Sequence, residues 1–312
     1  MRLVFCGTPD FALPSLKRLA SSRHRVLAVV TQPDRPKGRG RIPQPPPVKQ
    51  LAQKLGLEVR QPDKIKDPDF LAWLDSLRPE VLVVVAYGRI LPPEMLDLPS
   101  RGSINLHASL LPRYRGAAPI HWAVINGETE TGVTTMYITP ELDAGDIILQ
   151  RAVPIGERDT AGSLHDRLAE VGAELLVETL DRVEQGEAPR RPQEAGQATY
   201  APPLKPEDEK IDWRWPARTV YNRVRGLNPW PGAYGRWRGK RVKVWWVELG
   251  ERLAAGEHKP GTIVAVDERG IEVACGDGQA VRIQQLQPEG KAVMTAAEFI
   301  RGYRPYIGEA WD

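Results

Sequence analysis

Ser103-Ile104-Asn105-Leu106-His107-Ala108-Ser109-Leu110-Leu111-Pro112-Arg113-Tyr114-Arg115-Gly116 opens with alternating polar and apolar side chains and closes in a proline- and glycine-bearing loop. The alternation has the period of a strand. It sends Asn105 and His107 to one face while Ile104 and Leu106 pack behind. A carboxamide can donate a hydrogen bond to a developing oxyanion. An imidazole exchanges protons near neutrality. Side by side at a strand end, the two suit acyl-type transfer. The bare Asn-x-His pattern fits equally well a pair of side chains that satisfy buried backbone groups.

Upstream, Val81-Leu82-Val83-Val84-Val85-Ala86 is the most hydrophobic run in the chain. A segment apolar on both faces belongs in the middle of a parallel sheet. It leads into Tyr87-Gly88-Arg89-Ile90-Leu91. Open α/β sheets bind ligands outside the carboxyl ends of their strands, so these residues are expected to wall the same site. At the start of the chain, Leu3–Cys6 reads as a strand, Gly7-Thr8-Pro9-Asp10 as a turn, Phe11–Ser21 as a helix and Arg25–Thr31 as a second strand. Such a βαβ unit implies parallel pairing with a right-handed crossover. The turn lacks the Gly-x-Gly-x-x-Gly pattern of nicotinamide and flavin sites. Val48–Leu55 and Asp67–Leu77 have helical spacing.

Downstream, the periodicity predicts a helix over Ile120–Asn126 and a strand over Val133–Thr139. The turn Glu141-Leu142-Asp143-Ala144-Gly145-Asp146 follows. Asp143 could orient His107 or take a proton through water. Asp146 suits a turn cap. Ala161–Gln185 reads as one long helix.

Two segments differ in character. Gln32–Pro47 carries Arg35, Lys37, Arg39 and Arg41 among glycines and prolines, a long connection for a compact α/β domain. Its cations either reach a phosphate backbone or simply solvate a loop. Pro189–Glu209 has the composition of a linker. Beyond a helix at Ala217–Arg225 come about five short strands separated by glycine-containing turns, the pattern of a small OB-like barrel. There, Arg236, Arg238, Lys240, Arg241 and Lys243 interleave with Trp237, Trp245 and Trp246. That composition suits nucleic-acid contacts or, more plainly, a basic strand face over a tryptophan core.

The 312 residues, 41% hydrophobic and 27% charged, allow two domains of soluble globular type. A net charge of +3 does not by itself announce a nucleic-acid binder. Cys6 and Cys275 form no Cys-x-x-Cys pair, which speaks against a disulfide framework or a cysteine-based metal centre. The N-terminus lacks a signal-peptide pattern and no apolar run approaches membrane-spanning length, so a cytoplasmic protein is expected.

Taken together, Asn105–Ala117, the Asp143-Ala144-Gly145-Asp146 turn, Gly7–Ala12, the basic loop Gln32–Gly40 and the appended barrel resemble the methionyl-tRNA formyltransferase family over nearly the whole chain. Leu142 stands where that family commonly has methionine. The resemblance implies a Rossmann-like parallel-sheet catalytic domain (1–189), a linker (190–207) and an OB-like β-barrel tRNA-binding domain (208–312). It implies 10-formyltetrahydrofolate as formyl donor, methionyl initiator tRNA as acceptor, no metal and no demand for more than a monomer. Asn105 would hold the oxyanion, His107 would polarise the formyl group, and Asp143 would tune His107 and relay the amine proton. Tyr87, Gly88, Arg89, Ile90 and Leu91, with Ser109, Leu110, Leu111 and Pro112, would contact the folate. Arg35, Lys37, Arg39 and Arg41 would meet the tRNA, Arg39 foremost. The catalytic residues alone also permit a formyltransferase or hydrolase acting on a small molecule such as a nucleotide sugar, and the fold permits an RNA-binding module.

Overall fold

In chain order the strands of the α/β region are β1 (Arg2–Gly7), β2 (Arg25–Val30), β3 (Arg35–Lys37), β4 (Ile42–Gln44), β5 (Val59–Arg60), β6 (Val81–Val85), β7 (Ser103–His107), β8 (Glu130–Tyr137) and β9 (Ile147–Pro154). The helices are α1 (Leu13–Ala20), α2 (Pro47–Lys54), α3 (Pro68–Ser76), α4 (Pro93–Leu96), α5 (Pro119–Ile125) and α6 (Ala161–Gln185). The computed structural model describes residues 1–37, 42–254 and 257–312. Arg39 and Arg41 therefore lie outside the described residues. The chain divides into two units. One comprises Met1–Pro119, Glu130–Pro154 and His165–Ala201; the other comprises Ile120–Thr129, Ile155–Leu164 and Pro202–Asp312.

The first unit is built on one seven-stranded sheet in the order β5-β2-β1-β6-β7-β8-β9. From β5 to β7 all pairings are parallel. The all-valine-and-leucine β6 sits at the centre and is buried along its length, as its two-faced hydrophobicity requires. The sheet is mixed rather than wholly parallel, because β8 and β9 add on antiparallel. Only residues 138–146 join them, too few for a parallel crossover, which needs about a dozen. β3 and β4 form a separate antiparallel pair inside the segment that sequence reads as a long loop.

Helix α3 starts at Asp67, whose carboxylate accepts from the Asp69 N–H at 3.1 Å, with Pro68 in its first turn. It buries Phe70 and Leu74 against Val4, Val30, Leu82 and Met95. Helix α6 covers β7, and Gly172 permits the approach: a Cβ there would lie 2.8 Å from Leu106 Cδ2. Leu106 is thereby pinned toward the helix. By strand alternation, Asn105 and His107 turn to the other face.

The second unit contains α7 (Ala217–Gly226), β10 (Tyr234–Trp237), β11 (Lys240–Arg252), β12 (Ile263–Asp267), β13 (Gly270–Ala274), β14 (Gln279–Pro288), β15 (Met294–Thr295) and α8 (Ala296–Tyr303). Its antiparallel sheet runs β10-β11-β14-β13-β12, with β15 paired to β14. The last residues of the chain bond to both edges. Asp312 exchanges main-chain hydrogen bonds with Arg236 of β10, while Trp311 and Gly308 donate to Gly261 and Ile263 beside and within β12. Trp237 is buried against Phe299 and lies beside Trp311, so this tryptophan belongs to the core. Trp245 and Trp246 are half-buried.

Candidate active site

The strand order reverses between β1 and β6, and both strands end in tight turns at that point. A Cβ on Gly7 would lie 2.7 Å from Phe5 Cε1 and 3.0 Å from the Val85 carbonyl, so only glycine fits there. Thr8 Oγ1 donates to the Tyr87 carbonyl at 2.9 Å, tying the two strand ends together across the switch point. Gln32 Nε2 donates to the same carbonyl at 2.9 Å and to that of Gly88 at 3.2 Å.

Residues 87–91 are not uniformly presented. The Tyr87 ring is 1% exposed and belongs to the core beside Cys6 and Met95, its hydroxyl without a partner among the described residues, and burial pushes that phenol well above the ordinary range. Leu91 is buried in the same cluster. Arg89 turns back to the carbonyls of Pro62 and Asp63 at 3.0 and 2.9 Å. Ile90, by contrast, stands 82% exposed. Of the folate-contact expectations here, it is the main chain and Ile90 that remain open.

At the end of β7, Asn105 is half-buried, and its carboxamide forms no hydrogen bond among the described residues. His107 is 6% exposed. Its Nε2 lies 2.9 Å from the Tyr114 carbonyl. A carbonyl only accepts, so Nε2 carries a proton and Nδ1 is left for chemistry. Nδ1 faces Asp143 Oδ2 at 3.7 Å, beyond a direct hydrogen bond. Asp143 Oδ2 also accepts from the Gly116 N–H at 2.8 Å. The three expected catalytic side chains thus come from the end of β7 and the 141–146 turn; Asp143 Oδ2 faces His107 Nδ1, and Asn105 lies two residues along β7 from His107.

The loop after β7 is braced from beneath. The Ser109 hydroxyl donates to the Arg113 carbonyl at 2.6 Å. Thr134, fully buried, donates to the Ser109 carbonyl at 2.6 Å and accepts from the Leu111 N–H at 3.1 Å. Gln150 donates to the Leu111 carbonyl at 2.8 Å and to Thr134 at 3.0 Å. Ser109 and Leu111 are accordingly buried supports, with Leu110 and Pro112 half-buried. On the facing turn, Asp143 has φ 48°, a left-handed conformation that a non-glycine residue holds only under constraint. Gly145 is forced: a Cβ there would fall 1.8 Å from the Tyr137 carbonyl. Leu142, beside Asp143, is 58% exposed.

Sequence reasoning missed the segment that completes this site. Residues 190–201, read as linker, run along the first unit. Arg191 exchanges hydrogen bonds with Ile147 at 2.8 and 3.0 Å. The Thr199 carbonyl accepts from Arg115 N–H at 2.8 Å, its hydroxyl accepts from Tyr114 N–H at 2.9 Å, and Ala201 donates to the Arg115 carbonyl at 2.7 Å. Gln193 donates to the carbonyls of Asp143 and Gly145, both at 2.8 Å. Nothing in a run of prolines and polar residues marks these pairings, because they depend on the loops they meet.

Among the basic expectations, Arg35 is exposed and donates to Gln32, its one hydrogen-bond partner among the described residues. Arg238 pairs with Glu309 and Arg241 with Glu209, at 2.7 and 2.6 Å, which neutralises both. Lys243 donates to the Pro231 carbonyl. Arg236 and Lys240 are exposed and have no carboxylate partner among the described residues. Ligand atoms of His24, Asp181 and Glu184 converge within 4.8 Å, but Arg23 already pairs both carboxylates at 2.7 and 2.9 Å, so the group is an ion-pair network. Among the described residues no helix is long and apolar enough to cross a membrane.

The sequence matches the Formyl transferase family over residues 1–180 and the Formyl transferase C-terminal domain over residues 203–304. It is 56% identical over 309 residues to a methionyl-tRNA formyltransferase of Moorella thermoacetica, covering 99% of this chain and 98% of that protein. It is 57% identical to the protein of the same name from Pelotomaculum thermopropionicum, covering 97% and 96%. The fold resembles that of WlaRD, a sugar 3N-formyl transferase crystallised in the presence of dTDP and 5-N-formyl-THF (TM-score 0.67, 18% identity, 94% of this chain and 99% of that one). It also resembles HypX from Aquifex aeolicus in complex with tetrahydrofolic acid (TM-score 0.64, 21% identity, 99% of this chain), of which it spans about half, 48%. With both its N-terminal and its C-terminal segments matched, this chain belongs to the formyl transferase family.

Proposed function

We propose that the protein transfers the formyl group of 10-formyltetrahydrofolate to the α-amino group of methionyl initiator tRNA, working as a cytoplasmic monomer. The observation that carries this reading is 56% identity along virtually the whole chain to a methionyl-tRNA formyltransferase, C-terminal unit included. The cations at Arg35, Lys37, Arg39 and Arg41 suit a polyanionic acceptor.

The residues divide the work as follows. The unpaired Asn105 carboxamide suits an acceptor oxygen and donates Nδ2–H to the formyl oxygen as charge develops on it, a contribution worth about 3 kcal/mol in comparable sites. His107, its Nε2–H held by the Tyr114 carbonyl, turns Nδ1 toward Asp143 and positions the donor beside Asn105. As the amine nitrogen bonds to the formyl carbon, Asp143 takes the proton it sheds, directly or through one water. When the carbonyl re-forms and the bond to the folate N10 breaks, that proton goes to the departing nitrogen, so charge and protons balance. The exposed Ile90 and Leu142 offer apolar surface to a planar donor, and the 87–88 main chain supplies polar edges. Arg236 and Lys240 are the second unit's cations for tRNA phosphates.

The test is transfer of labelled formyl from 10-formyltetrahydrofolate, offered methionyl initiator tRNA, free methionine and a dTDP-amino sugar side by side. The reading requires label on the tRNA. Label on the amino sugar alone would move the protein to small-molecule chemistry.

A further inference from the structure

Gln193 uses its whole amide. Both Nε2 hydrogens are donated, to the Asp143 and Gly145 carbonyls at 2.8 Å each. Oε1 accepts twice from Arg115, from Nη2 at 2.7 Å and Nε at 3.1 Å. Arg115 is itself 7% exposed, so this is a buried guanidinium clamped onto a neutral amide. The residue following Arg115 is Gly116, whose N–H holds the Asp143 carboxylate. The contacts close a ring: Asp143 main chain, Gln193, Arg115, Gly116, and back to the Asp143 side chain. Asp143 is gripped at both ends, which a φ of 48° needs in order to persist.

We infer that Gln193 is a positioning residue for the reaction, setting the Asp143 carboxylate against His107 while never touching substrate. The inference rests on the proposed role of Asp143. The chemistry selects an amide: only a group with two donors and a twice-accepting oxygen satisfies two carbonyls and a guanidinium together. A carboxylate in its place would keep Arg115 but turn acceptors toward the Asp143 and Gly145 carbonyls. A thioether of similar length would orphan both sides. The fold does not hang on this residue, because the Arg191–Ile147 and Thr199–Arg115 main-chain pairings anchor the segment on either side of it.

The experiment measures steady-state formyl transfer by the full chain for Gln193→Glu, Gln193→Met, Asp143→Asn and the Gln193→Met/Asp143→Asn pair, with urea midpoints as a check on folding. A carboxylate displaced by about 1 Å costs on the order of a hundredfold in rate. Both Gln193 variants should lower kcat by about ten- to a hundredfold with KM for donor and acceptor within about twofold. In the Asp143→Asn background the Gln193→Met change should cost less than about twofold further, since the group it positions is gone. A wild-type kcat in both Gln193 variants, a loss confined to KM, or a full additional loss in the double variant overturns the inference. Wild-type turnover by Asp143→Asn would instead overturn the catalytic reading of Asp143 itself.

Discussion

The main-chain N–H of Gly116 donates to Asp143 Oδ2 at 2.8 Å, and that oxygen faces His107 Nδ1 at 3.7 Å. A carboxylate from one turn is thus oriented by the backbone of another, so the alignment of the site depends on main-chain positions as much as on its reactive side chains.

Gly145 is the sharpest instance. Its missing Cβ leaves room for the Tyr137 carbonyl, 1.8 Å from where that atom would sit. Gly145→Ala must shift the 141–146 turn and carry Asp143 with it. We expect kcat to fall by about a hundredfold or more with the urea midpoint lowered. Full activity in the alanine variant would mean the turn can move without disturbing the chemistry.

Protonation of Asp267 should destabilise the second unit. Its Oδ1 accepts from Arg282 Nη1 at 2.7 Å and from the Arg269 N–H at 2.8 Å, and these contacts, Arg282 foremost, hold its pKa down to about 2. A folded-state pKa below the unfolded one gives stability that is complete above about pH 4 and is lost as pH falls toward 2. Asp267→Asn should therefore lower the urea midpoint at pH 7, and the gap from wild type should narrow between pH 4 and pH 3. A gap unchanged over that interval would remove the carboxylate's charge from the explanation.

Both thiols are expected to be inert in the folded protein. Burial pushes Cys6 and Cys275 up to about 12, leaving almost no thiolate at neutral pH. Iodoacetamide at pH 8 should modify neither in the native chain and both after denaturation, read by mass spectrometry. Native labelling of Cys275 would show that its strand end opens readily.

Much of this architecture is legible in the sequence because local pattern and tertiary role coincide. The valine run of β6 can only be a central strand, and the leucine spacing of 161–185 matches α6 residue for residue. β9 escapes, since Gln150 and Arg151 interrupt its apolar pattern; Gln150 is there to brace the loop after β7. Helix α8 was announced by a signal left unread, the Thr295-x-x-Glu298 capping box. At the site, Asn105, His107 and Asp143 stand out because their side-chain chemistry is distinctive. Gln193, Thr134 and Thr199 do not, because their work is hydrogen bonding to main chain far away in sequence, which no local pattern encodes. Tyr87 teaches the converse. A strand-end tyrosine invites a binding role, yet its ring fills the core and only its carbonyl faces the turn.

Single-turnover formyl transfer by Asn105→Ala, with donor saturating and tRNA affinity measured in parallel, addresses the central claim most directly. Loss of one oxyanion donor predicts a rate lowered by about a hundred- to a thousandfold with tRNA affinity unchanged within about twofold. Equal losses in rate and affinity, or a rate within a few-fold of wild type, would contradict the assignment of Asn105 as the group that holds the developing charge.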